Sequence, residues 1–170
     1  MYFRYICSMN GTLQIIAVIV SVAALVACYI PRVPAATIAL AALVAAYFAA
    51  PQGFITTDII IFWAVATAII IGLRFLQPRA LLAMRAGSAY IATGTIAGAA
   101  IGLAISASSA AVILGSVIGA FLALTAYMRT PASPKLPVAS SPFIQYYCAK
   151  SFPIIIAVSM SAISLASVLL

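Results

Sequence analysis

Charges divide this chain into long apolar runs. Tyr5 to Pro31, Val33 to Thr57, Ile59 to Leu73, Ala86 to Met128 and Ser151 to Leu170 contain no Lys, Arg, Asp or Glu. An α-helix crosses a bilayer core with about 20 apolar residues, so these runs read as membrane-embedded helices. The 43 residues from Ala86 to Met128 are enough for two such helices. Ser106-Ala107-Ser108-Ser109 supplies the small polar turn between them. Six hydrophobic segments follow, near Thr12–Ile30, Val33–Ala49, Asp58–Leu76, Ala89–Ala107, Ser109–Met128 and Pro142–Leu169. The expected fold is all-α, a polytopic transmembrane helical bundle forming one integral membrane domain over residues 1–170. The run from Ile59 to Leu73 is short, so the third helix must borrow Ile55 or Leu76 to span.

The connections differ in kind. Pro31-Arg32-Val33-Pro34 is a rigid corner, because two prolines remove backbone donors from any continuing helix, and it makes a close hairpin of the first two segments. Ala50-Pro51-Gln52-Gly53 is a second turn, with Thr57 as N-cap of the helix that Asp58 begins. Gln77 to Ser88 suits either a short interfacial helix or an ordinary loop. At its end, Gly87 serves the turn and Ser88 caps the helix. Thr130 to Pro142 holds prolines 131, 134, 137 and 142 and reads as extended and aqueous.

Composition narrows the function classes. The chain is 67% hydrophobic, with a mean hydropathy of +1.30. It has no His and a single carboxylate, Asp58. No paired-carboxylate, His-metal or Ser-His-Asp set is available, so the chain reads as non-enzymatic and no cofactor is indicated. The net charge of +7 comes from eight scattered Lys and Arg residues, which argues against nucleic acid as a partner. Positive charge here sets topology instead. Arg32, Arg74, Arg79, Arg85, Arg129, Lys135 and Lys150 fall in the first, third and fifth loops, which places those loops in the cytoplasm and both termini on the far side. The location this implies is the cytoplasmic (inner) membrane of a cell, crossed several times.

Leu25-Val26-Ala27-Cys28 has the outline of a lipoprotein cleavage box. The preceding apolar run is too long for that role, and Tyr29-Ile30-Pro31 stands where a polar tether belongs, so Cys28 reads as part of the first membrane helix. Cys7, Cys28 and Cys148 have neither disulfide nor metal spacing.

The strongest pattern is a glycine zipper, Gly94-Thr-Ile-Ala-Gly98-Ala-Ala-Ile-Gly102. Residues four apart lie on one helix face, so these glycines form a groove without side chains. Ala111, Gly115, Gly119 and Ala123 make a matching row on the next segment. Such rows let helices approach closely in lipid, and the economical reading is a central intramolecular hairpin. Contact with a second copy of the chain and a narrow pore are the alternatives. Against the pore, no charge or carboxamide occurs between Ala86 and Met128 to replace an ion's hydration shell. Thr93, Thr95 and Ser116 can donate within their own helix or across.

Ile30-Pro31-Arg32-Val33-Pro34 after an apolar helix, then Ala86-Gly87-Ser88, the row Gly94, Gly98 and Gly102, and Gly115 to Ala120 together resemble the bacterial membrane proteins called the domain of unknown function 456 family. Phe143-Ile144 and Lys150 look similar too. The resemblance spans about Leu13 to Leu165 and implies an integral membrane protein with a glycine-zipper hairpin and no assigned activity. Relatives tend to have Pro-Gly-Leu-Pro-Gly where this chain has Pro31-Arg32-Val33-Pro34-Ala35, a proline at Ser116 and an acid at Leu124. The missing acid argues against a proton-coupled role.

Lys150, with Tyr146 and Tyr147 one turn earlier, is expected to snorkel to the headgroups, far from Asp58. Pro153 kinks the last helix or marks its start. Trp63, Tyr47, Phe48 and Tyr127 read as interface or lipid-facing aromatics. Two functions fit: a helix-packing or assembly protein that binds itself or another membrane protein, and, as the alternative, a small-solute transporter or channel. A midplane cavity lined by Thr56, Thr67, Ser159 or Ser161 would mark the second.

Overall fold

In lipid a backbone must satisfy its own hydrogen bonds, and the Ala-, Ile- and Leu-rich runs do so as helices. A computed structural model describes residues 2–30, 33–49, 55–76, 87–106, 108–131, 133, 135, 138 and 140–169. These described residues form six α-helices and no strand: α1 (Tyr2–Ala27), α2 (Ala35–Ala49), α3 (Thr57–Leu76), α4 (Ser88–Ile105), α5 (Ser109–Met128) and α6 (Ser141–Leu169). Most boundaries fall within three residues of the sequence reading, but α1 starts ten residues before Thr12. Pro31, Arg32, Arg79 and Arg85, the turn at residues 50–53 and the end of the fourth segment at Ala107 lie outside the described residues.

Among the described residues, three stretches are long and apolar enough to cross a membrane: Ser88–Ile105, Ser109–Met128 and Ser141–Val168. Gly11–Ala27, Ala35–Ala49 and Thr57–Leu73 are shorter apolar helices. Fifteen residues of α2 rise only about 22 Å, short of a hydrocarbon core of about 30 Å.

Two helical hairpins, α1–α2 and α4–α5, carry the most extensive contacts in the structure. The last helix, α6, joins them, packing against α1, α2, α4 and α5 and also meeting α3. Among the described residues, no Cα of α1, α2 or α3 comes within 8 Å of one in α4 or α5. The burial pattern agrees: 67% of the apolar stretch of α6 is buried, against 28% for α4 and 22% for α5.

Small residues take a large share of the interior. Ala24, Ala39, Ala42, Ala46, Ala120 and Ala157 are fully buried, as are Ser21, Thr95, Ser116, Ser159 and Ser164. Many large aliphatics point outward, with Ile19, Ile61, Ile69, Ile101, Leu114 and Leu122 all more than half exposed, while Leu43, Ile91, Leu124 and Met160 are buried. An apolar exterior around an interior rich in alanine and serine fits a lipid solvent, where apolar surface gains little by hiding and close backbone approach gains much.

Local chemistry sets the helix ends. Pro34 offers its carbonyl to the amides of Thr37 (3.0 Å) and Ile38 (3.4 Å) and to the Thr37 hydroxyl (2.7 Å), starting α2. Ser108 caps α5 by accepting from the Ala111 amide at 3.3 Å. For α4 the cap is Gly87, with φ 97°, and Ser88 is the first helical residue rather than the cap. That left-handed backbone favours glycine, and a Cβ there would also press on the ring of Tyr127 and the hydroxyl of Tyr146. Pro153 lies inside a continuous α6, so the helix begins at Ser141. Its missing N–H leaves the Ala149 carbonyl without its usual helical donor.

Candidate functional site

The small-residue rows of α4 and α5 face each other in antiparallel register. A Cβ built on Gly94 would strike Gly119 O and the Cβ of Ala123; one on Gly98 would strike Gly115 O; one on Gly102 would strike Ala111 O. The relation is reciprocal, since Cβ atoms on Gly115 and Gly119 would strike the carbonyl oxygens of Gly98 and Gly94. All seven residues of the two rows therefore lie at this one seam. The glycine hydrogens that replace those Cβ atoms aim at the opposing carbonyls, the geometry of Cα–H···O contacts worth about 0.5–1 kcal/mol each. Thr93, Thr95 and Ser116 donate within their own helices, to Ala89 O (3.0 Å), Ile91 O (2.6 Å) and Val112 O (2.7 Å).

The seams of α6 use hydroxyls. Ser21 donates to Ser164 at 3.0 Å, and Ser164 donates to Ala42 O at 3.2 Å, tying α1, α6 and α2 together. On the other side Ser159 donates to Ser116 at 3.3 Å, and the Tyr147 hydroxyl donates to Val117 O at 3.1 Å. Phe121 adds edge-on ring contacts with Phe143 and Tyr147, at centroid distances of 6.1 and 6.0 Å. Sequence reasoning missed this role of α6. The hydroxyls of Ser151 and Ser161 are buried without a hydrogen-bond partner.

Two aromatics depart from the expected lipid-facing placement. Trp63 is buried and packs edge-on to Phe62 at 5.2 Å. Tyr127 is buried between Tyr90 and the bare backbone of Gly87, which leaves room for its ring. Phe48 is exposed as expected, and Tyr47 shares a hydrogen bond with Thr57 at 3.3 Å.

None of Thr56, Thr67, Ser159 and Ser161 lines the cleft described below. Thr67 is buried and donates to Trp63 O at 2.8 Å, Ser159 is paired with Ser116, and Thr56 is exposed. A cleft of about 390 Å³ lies instead at one end of the bundle, where Cys28, Thr37, Ile70, Ser88, Lys150 and Phe152 come together from α6 and from the ends of the first four helices. Lys150 is half-buried in it. Asp58 is exposed at the opposite end of α3, twelve residues before Ile70, or about 18 Å along the helix. Cys28 and Cys148 are free thiols. No group of His, Cys, Asp and Glu among the described residues can hold a metal. The chain matches no family model, no curated protein and no solved structure.

Proposed function

We propose that the chain is a non-enzymatic membrane protein of about six spans in a bacterial cytoplasmic membrane, related to the domain of unknown function 456 proteins, whose role is helix packing and assembly with a second copy or another membrane protein. The observation that carries this reading is the closed interior. Alanines and serines pack it together with Leu43, Ile91, Leu124, Phe143, Tyr146 and Met160, and most of its hydroxyls are spent on neighbouring helices or on their own turn. A solute path needs polar groups aimed into a continuous space. The glycine-faced hairpin supports a rigid unit with apolar outer faces available to lipid or partner helices.

The orientation rests on the cleft. Ile30 and Val33, on either side of Arg32, border it, as do Leu73, next to Arg74, and Ser88, three residues after Arg85. Tyr127, two residues before Arg129, sits beside Gly87. These connections therefore gather at one end, and that end faces the cytoplasm.

In-cell crosslinking, gentle-detergent purification and intact-mass measurement test the reading. A stoichiometric second polypeptide or a defined homo-oligomer is the expected result. A monomer that also passes a solute in reconstituted vesicles would replace it with the transporter or channel alternative.

A further inference from the structure

We propose that the flank formed by α2 and α3 fits a thinner bilayer than the α4–α5 flank does, so that the lipids gathered against α3 are those with short acyl chains. This holds on the six-span reading proposed above, in which both short helices cross the bilayer. α2 has 15 residues. In α3 only the 15 from Ile59 to Leu73 lie between charges, with Asp58 in the first turn and Arg74 two residues before the end. Each run rises about 22 Å. The two helices also stand level. Near the end of α2, Tyr47 shares a hydrogen bond of 3.3 Å with Thr57 at the start of α3, and at the other end Thr37 of α2 and Leu73 of α3 line the same cleft. Neither helix therefore extends the apolar height of the other.

The α4–α5 flank is taller. α4 has 18 residues and α5 has 20, rises of about 27 and 30 Å, and no charge falls between Ala86 and Met128. Both flanks present large apolar side chains outward: Ile61, Val65 and Ile69 on α3 and Leu114, Ile118 and Leu122 on α5 are each more than half exposed. Among the described residues no Cα of α2 or α3 lies within 8 Å of one in α4 or α5, so the long pair does not shield the short pair. A long helix meets a thin bilayer by tilting, whereas a short one thins the bilayer, draws on side chains that reach to the headgroups, or sheds its lipid by oligomerising. An arginine has that reach, but Asp58 is exposed and its side chain is short. Against a core of about 30 Å the deficit on α3 is about 8 Å, and it falls on the lipids that touch this helix.

The test places the full chain in vesicles of brominated and plain phosphatidylcholines of graded acyl length, with one added tryptophan to report lipid contact, Ile69→Trp on α3 or Ile118→Trp on α5. The signal of the buried Trp63, the single native tryptophan, is measured on the wild-type chain and subtracted. Quenching on α3 should favour short-chain over long-chain lipid by about threefold, with no such preference on α5. Arg74→Leu, which lengthens the uncharged run to Leu76, should weaken the α3 preference and leave α5 as it was. If Ile69→Trp does not fold, Phe62→Trp, also exposed on α3, takes its place. Equal preference at the two reporters overturns the proposal, as does an undiminished α3 preference in a folded Arg74→Leu variant. Absence of quenching on α3 overturns it too, since another helix would then cover that face. Thr56→Cys and Gln77→Cys, in a chain with its native cysteines replaced by serine, should react with an impermeant maleimide from opposite sides of the vesicle. Reaction from the same side removes the six-span reading together with the proposal, whereas opposite sides with equal quenching removes the proposal alone.

Discussion

The seam between α4 and α5 and the seams around α6 hold helices together in an apolar solvent by different means. At the first, backbones touch and the contact is made by what glycine lacks. At the second, hydroxyl pairs such as Ser21–Ser164 and edge-on rings such as Phe121 and Phe143 join the helices. The first seam is therefore sensitive to a single added carbon, while the second depends also on its hydroxyls.

Substitutions at each seam separate the two. Gly98→Ile should cost at least about 3 kcal/mol, because the obstructing Gly115 O is backbone and can yield only by parting the helices. Even Gly98→Ala should cost about 2 kcal/mol. Gly72→Ala, where an added Cβ meets nothing within 4 Å, should be neutral or stabilise by up to about 1 kcal/mol, and thermal unfolding in detergent reads all three. A Gly98→Ala variant as stable as wild type would mean that the seam is looser than described.

Ser164→Ala removes both the acceptor for Ser21 and the donor to Ala42 O, and should cost about 1 kcal/mol by the same measurement. A loss as large as that of Gly98→Ile would show that hydroxyls rather than close packing dominate. The smallest effect is expected at Ser161. Its hydroxyl is buried without a partner, so Ser161→Ala should be neutral or stabilise by about 1 kcal/mol, and a destabilised variant would reveal a hydrogen bond made in the membrane.

Much of the first seam was legible in the sequence, and little of the second. Gly94, Gly98, Gly102, Gly115 and Gly119 repeat at the spacing that lines a helix face, so period alone pairs them across a short turn. Ser21, Ser116, Ser159 and Ser164 have no such local signature, since a serine in an apolar helix looks the same whether it faces a neighbour, its own turn or lipid. Their partners lie as many as 143 positions away and emerge only once α6 is placed. Trp63 and Tyr127 misled for the same reason. Aromatic residues near helix ends favour the interface on average, but Gly87 makes a pocket for Tyr127 that only the folded backbone reveals.

The position of α6 also has a consequence for biogenesis. It follows the other five described helices in the chain, and among the described residues it alone touches both hairpins. Before α6 is made, the described residues of the two hairpins have no Cα pair within 8 Å, so each is free to drift or to meet foreign helices until the sixth joins them. A chain cut in the linker after α5 should therefore give two inserted hairpins that do not copurify, and supplying α6 as a separate polypeptide should reunite them.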